Sequence, residues 1–207
     1  MDADAIELRV LGCLIEKQRT TPEAYPLSLN SLRLACNQST NREPVVEYDE
    51  PTIRAALDRL AEKRWTRLAS GPGSRAVKFR HLFDDAIGVA GDEIAVLCVL
   101  MLRGPQTPGE LKQRTPRLHA FAGLEDIERV LDELIERELV ARLPRRPGQK
   151  EQRYEHLLGG DASADEPAPA VEDDDRMTEF EHALTELKDE VAALRSELAS
   201  LRRQRED

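Results

Sequence analysis

The sequence predicts a mainly helical α+β protein, made of two tandem winged helix-turn-helix domains and a C-terminal coiled-coil helix. Three observations carry that reading. Apolar blocks recur in the same order in two parts of the chain, each part ends in a short alternating segment broken by a turn, and the C-terminal stretch keeps apolar residues in steps of three and four.

The repeat is the strongest of the three. Val10-Leu11-Gly12-Cys13-Leu14-Ile15, followed by Thr21-Pro22, resembles Val96-Leu97-Cys98-Val99-Leu100-Met101, followed by Thr107-Pro108. Ile53, Ala56, Leu57 and Leu60 return as Ile127, Val130, Leu131 and Leu134, and Phe79-Arg80-His81-Leu82 returns as Tyr154-Glu155-His156-Leu157. The offset between blocks changes, so copy one has the longer middle. The first domain is expected over residues 1–86 and the second over 87–159.

Each copy opens on an apolar helix, near Ile6 to Lys17 or Glu93 to Leu102. The Thr of Thr-Pro is placed to start a short second helix, around Leu29 to Asn37 or Pro108 to Arg114. A third helix follows, with apolar residues at i, i+3, i+4 and i+7, the stripe of a 3.6-residue period. In copy one Asp49 can cap it and Pro51 tolerates its first turn. A hairpin closes each copy. Trp65 to Ala69 and Ala76 to Leu82 flank Gly71-Pro72-Gly73-Ser74, while Leu139 to Leu143 and Gln152 to Leu157 flank Arg146-Pro147-Gly148.

Residues 160–175 have almost nothing apolar to bury and read as a self-repelling acidic linker. In residues 176–205, Leu184, Val191 and Leu198 fall on a positions, and Leu187, Leu194 and Leu201 on d positions, of a heptad repeat. Glu190 and Glu197 at g then face Arg195 and Arg202 at e of a parallel partner, which favours a homodimer over a helix folding back on its own domains.

The net charge of −10 is distributed unevenly. Residues 1–86 carry 13 basic and 13 acidic side chains, residues 87–160 carry 11 and 12, and residues 161–207 carry 6 and 15. The body is balanced and leaves room for local basic patches. No stretch is apolar enough to span a membrane and the start lacks a secretory pattern, so a cytoplasmic chain is expected. Cys13, Cys36 and Cys98 sit in apolar helical patterns and read as buried, reduced thiols. His81 and His156 occupy matching strand positions, pointing to a shared structural role. No catalytic motif, metal-ligand spacing or cofactor loop stands out, which leaves nothing to argue an enzyme from.

Positive charge near the third helix and the hairpins is the feature that points to function. Arg54, Arg59, Lys63 and Arg64 lie on or just after the third helix of copy one, and Arg67, Arg75, Lys78 and Arg80 decorate its hairpin. Such residues would contact phosphates of double-stranded DNA and give salt-dependent affinity. Local carboxylates such as Asp58 and Glu62 could instead pair with them on a solvated face. In copy two the third helix is acidic, with Glu125, Asp126, Glu128, Asp132, Glu133, Glu136 and Glu138 against Arg129 and Arg137. Its hairpin offers Arg142, Arg145, Arg146, Lys150 and Arg153.

Several stretches resemble a known family, the YceH-like bacterial proteins of uncharacterised function. They are Leu11-Gly12-Cys13-Leu14-Ile15-Glu16-Lys17, the run from Thr20 to Asn30, the run from Ala35 to Val45, Leu102 to Leu111, and Leu143 to Glu151. The resemblance implies tandem winged helices over nearly the whole chain and brings no activity, ligand or catalytic residue. Within it, the polar run Asn37-Gln38-Ser39-Thr40-Asn41-Arg42-Glu43-Pro44 could contact bases and, through Arg42, a phosphate, or could spend its amides and hydroxyls on its own turn. The leading expectation is a dimeric, regulator-like DNA-binding protein. The rival is an adaptor that docks a protein partner on the acidic helix of copy two, and an enzyme with a site between the domains is the weakest reading.

Overall fold

The computed structural model describes residues 2–69, 77–89, 91–145 and 151–159. Two long apolar helices organise it. α1 (Ala5–Thr20) is started by Asp4, whose carboxylate accepts the Glu7 N–H at 2.8 Å while the Glu7 carboxylate accepts the Asp4 N–H at 2.8 Å. This reciprocal cap satisfies two of the helix's unpaired donors and puts negative charge at the positive end of its dipole. α1 buries an unbroken run from Glu7 to Ile15, and α5 (Gly91–Arg103) one from Glu93 to Leu102. A helix buried on every side over such a run has to be enclosed on every side. Here each encloses the other, and the buried residues of both copies form one continuous cluster.

Gly12 sits at the closest point of that crossing. A Cβ there would stand 2.9 Å from the Cγ and Cδ2 of Leu102 and 3.4 Å from the Cβ of Met101. The Cys98 thiol donates to the Gly12 carbonyl at 3.4 Å. Gly12 and Cys98 are the same position of the repeat, so the two first helices meet at equivalent points. All three cysteines are buried free thiols.

The remaining elements repeat in order. After α1 come a 3₁₀ turn (Pro22–Ala24), β1 (Leu27–Ser28), α2 (Leu29–Cys36) and α3 (Glu50–Glu62), then β2 (Thr66–Leu68), β3 (Lys78–His81) and α4 (Phe83–Ile87). After α5 come α6 (Pro108–Arg114), α7 (Leu124–Glu136), β4 (Val140–Arg142) and β5 (Tyr154–His156). The result is a mixture of helices and small antiparallel sheets, ordered β1-β3-β2 in copy one and β4-β5 in copy two. α4 runs across the point after residue 86 where the sequence places a domain boundary. The expected linker and coiled coil, with Leu184, Leu187, Val191, Leu194, Leu198 and Leu201, lie outside the described residues, as do both hairpin tips.

Thr107 caps α6 as expected, accepting the Glu110 N–H at 3.2 Å while Glu110 accepts the Thr107 N–H at 2.7 Å. Thr21 does not cap α2. Its hydroxyl donates back to the Lys17 carbonyl at 3.2 Å, and Ser28 accepts the Ser31 N–H instead. The cause is the extra chain between them, which forms the 3₁₀ turn and β1 before the helix can start. β1 itself was not anticipated; Leu27 pairs with Phe79, as Gln106 bridges Tyr154 in copy two.

Both third helices end alike. Arg64 (φ 61°) and Glu138 (φ 55°) take left-handed conformations, and the next N–H closes back onto Leu60 or Leu134 at 2.9 Å. The preceding residue carries an ion pair to the first helix: Lys63 Nζ to Glu7 Oε1 at 2.8 Å, and Arg137 Nη1 to Glu93 Oε1 at 2.6 Å. Glu7 is 2% exposed and Glu93 7%, so each copy holds one buried carboxylate with its own cation.

His81 and His156 close the hairpins as matching residues. His81 is buried against Gln18 of α1, and burial is the main cause that pushes its pKa down to about 4. Burial does the same to His156, also to about 4.

Two outcomes follow. Gly12→Val forces a side chain into Leu102 and should cost about 1–3 kcal/mol, as overpacking does; circular-dichroism melts that match the wild type would show the crossing to be loose. An unfolded histidine takes up its proton near pH 6.5 while the folded ones resist until about 4. Their stability is therefore full above about pH 6.5 and lost as the pH falls toward 4. Melting temperature should already decline between pH 6.5 and 5, above most carboxylate titrations, and the decline should shrink in His156→Gln.

Candidate nucleic-acid interface

β3 alternates, with Phe79 and His81 turned into the core and Lys78 and Arg80 turned out. In β2 Thr66 is buried and Arg67 exposed. The register sets Arg67 directly opposite Arg80, and Lys78 opposite Ser28 of β1. Like charges facing each other across an antiparallel pair repel. No carboxylate among the described residues pairs with Arg67 or Arg80, and the Arg80 Nε is buried without a hydrogen-bond partner. Arg64, exposed at the turn into β2, extends the same cationic stretch.

Copy two builds this hairpin on the same register with different charge. Ala141 faces Glu155 where Arg67 faces Arg80, and Glu138 replaces Arg64. Two of its cations are engaged: Arg142 pairs with Asp132 at 3.2 Å and lies over the Tyr154 ring, and Arg153 donates to the Pro105 carbonyl at 2.9 Å. Arg145 is exposed; Arg146 and Lys150, like Arg75 of copy one, lie outside the described residues.

α3 contributes less than its sequence promised. Arg54 is exposed, with its guanidinium over the Phe79 ring at 5.7 Å, but Glu50, Asp58 and Glu62 share the outer face. Arg59 turns to the start of α1, 2.6 Å from Asp4 and 3.7 Å from Glu7. The cause is the capped α1 terminus, whose two carboxylates lie within its reach.

Arg42, expected at a phosphate, has a fully buried side chain, clamped on Glu16 at 3.1 and 2.6 Å, with further bonds to the Ala35 and Asn41 carbonyls and the Gln38 amide oxygen. Burial opposes its charge, and the Glu16 clamp outweighs that and raises its pKa. Asn37 likewise exchanges two hydrogen bonds with Tyr48, at 2.8 and 2.9 Å. Much of the polar run from Asn37 to Pro44 is thus spent on its own loop and on α1. Buried Arg needs a planar partner within reach, and Glu16 supplies one from far away in sequence.

Among the described residues no cluster of three or more His, Cys, Asp or Glu side chains could hold a metal, and no helix is long and apolar enough to cross a membrane. Residues 3–149 match a family described as "Protein of unknown function, DUF480", and the chain belongs to it. Proteins named UPF0502 are close relatives. The one from Opitutus terrae is 52% identical over 170 residues, covering 81% of this chain and 74% of its own. That from Pelobacter propionicus is 56% identical over 161 residues (77% and 73%), and that from Serratia proteamaculans 45% over 185 (86% and 86%). The family likeness read from the runs Leu11 to Lys17, Thr20 to Asn30 and Ala35 to Val45 therefore holds.

Arg42→Met leaves Glu16 without its main partner inside the fold. It should cost about 3 kcal/mol or more, the penalty for stranding one half of a buried pair. Chemical denaturation would read this as a lowered midpoint; an unchanged midpoint would mean the clamp is dispensable.

Proposed function

We propose that each copy is a winged helix and that the protein binds double-stranded DNA through the hairpin of copy one. The observation that carries this is the opposed pair Arg67 and Arg80, beside Lys78 and Arg64, with no carboxylate among the described residues to relieve the two arginines. A phosphate backbone removes that repulsion and is the natural counterion for a row of outward guanidinium groups. The matching hairpin of copy two lost the same charges while keeping the backbone, so the cations are not required by the fold. The mixed charge on α3 leaves the hairpin as the main contact. Phosphate contacts of this kind position a protein and tell it little about sequence. On this reading the protein is a regulator-like binder rather than an enzyme, and its C-terminal heptads make it a homodimer.

A second reading rests on α7. Glu125, Glu128, Asp132 and Glu136 are exposed at helical spacing along its outer face. That stripe repels DNA and suits a basic segment of a protein partner, which would make the chain an adaptor.

Fluorescence anisotropy with random duplex, titrated between about 50 and 200 mM salt, tests the first reading. Affinity should fall steeply with salt. Arg67→Gln with Arg80→Gln should flatten the slope of log affinity against log salt by about 2, one per lost phosphate contact. Duplex binding that is unaffected by the double change would remove the hairpin from the interface, and absence of binding at low salt would leave the α7 reading.

A further inference from the structure

A cleft of about 220 Å³ lies where the C-terminal ends of α1 and α5 meet the loop after α2 and the residues around the end of α6. Four cations line it: Lys17, Arg103, Arg114 and Arg117. Lys17 and Arg103 occupy the same position of the repeat, so the equivalence that joins the helices also delivers one cation from each copy. Such residues favour the negative end of a helix dipole, but that accounts for neither Arg114 nor Arg117, which arrive from α6 and the loop after it.

The acidic residue of the wall, Glu16, is already committed to Arg42 at 2.6 Å and to Lys17 at 3.5 Å. Arg103 donates to the Asn41 side-chain oxygen, and among the described residues no carboxylate pairs with it. Burial first, and then the neighbouring charges of Arg114 and Arg42, push its pKa down. Arg114 has only a long contact to Glu110, at 3.8 Å, besides the Gln106 amide oxygen. Arg117 is exposed and has no partner among the described residues. Leu102 and Leu118 supply an apolar flank. The cleft therefore gathers more positive charge than the protein neutralises, in a setting where water screens it incompletely.

We propose that this cleft binds a small phosphate-bearing molecule, its phosphate held by Arg103, Arg117 and Lys17 and the remainder lying against Leu102 and Leu118. A single carboxylate is satisfied by one guanidinium fork; cations converging from three elements suit a tetrahedral dianion with oxygens on several sides. The volume falls below the range usual for drug-sized ligands and suits a compact molecule. Because it touches both copies, the ligand fastens one to the other at the C-terminal ends of α1 and α5. This inference stands apart from the DNA reading, which uses the opposed arginines of β2 and β3.

Thermal unfolding of the full chain, titrated with inorganic phosphate against sodium chloride of equal ionic strength, tests it. Phosphate should raise the melting temperature saturably beyond the chloride control, as any ligand of the folded state does. Arg103→Gln with Arg117→Gln should raise the half-saturating concentration by about tenfold or more, the loss expected for charge-assisted hydrogen bonds. Arg67→Gln with Arg80→Gln should leave it unchanged. Arg117→Gln alone, on an exposed side chain without partners, keeps the test valid if the double variant does not fold. A phosphate effect no larger than that of chloride, or one undiminished by Arg117→Gln, would overturn the proposal, and equal stabilisation by succinate would overturn the assignment to phosphate.

Discussion

The contact between α1 and α5 at Gly12 is the constraint on which the other features depend. Each helix buries an unbroken run of residues that takes in every side of it, so neither copy could shield its own first helix with α2 and α3, or α6 and α7, alone. Close approach at a residue without a side chain lets one helix cover the open side of the other, and a single core results. The ion pairs Glu7–Lys63 and Glu93–Arg137, each with a buried carboxylate and a partly exposed cation, then fix the third helix of each copy to this shared axis. A buried carboxylate tolerates one neighbour geometry and penalises the rest, so these pairs constrain orientation more than they add net stability.

Much of this was legible in the sequence. Helical period, the turn residues and the repeat located the main helices and both hairpins, because each signal is local or is stated twice. The repeat also contained the ion pair, since Glu7 and Glu93 precede Val10 and Val96 by the same step and Lys63 and Arg137 follow Leu60 and Leu134 by the same step. Read as aligned columns, those four positions would have revealed a charge pair shared by both copies. The opposed arginines were half legible. Alternation placed Lys78 and Arg80 on one face of their strand, but only the register brought Arg67 opposite.

What stayed hidden depends on distance along the chain. Arg42 looked like a surface residue because its neighbours are polar, whereas its partner Glu16 lies on another element. Arg59 has the right helical position for DNA and the wrong neighbours, which come from the start of the chain. The cationic cleft assembles residues from α1, α5 and the end of α6, and its cations are ordinary helix-end residues when read singly. No composition or period signals that they converge. Thr21 fails as a cap of α2 for a local reason: the inserted 3₁₀ turn and β1 separate it from that helix, and its hydroxyl donates back to Lys17.

The two hairpins have one backbone design and differ in the charge of the facing pair at its centre. A protein whose halves were chemically identical as well as geometrically matched would present itself to a duplex equally well in two orientations, and its targets would carry an inverted repeat. Here Arg67 and Arg80 answer to Ala141 and Glu155. The scaffold therefore has a polarity, and on the DNA-binding reading one chain meets a duplex in a single direction, with no palindrome imposed by its internal repeat.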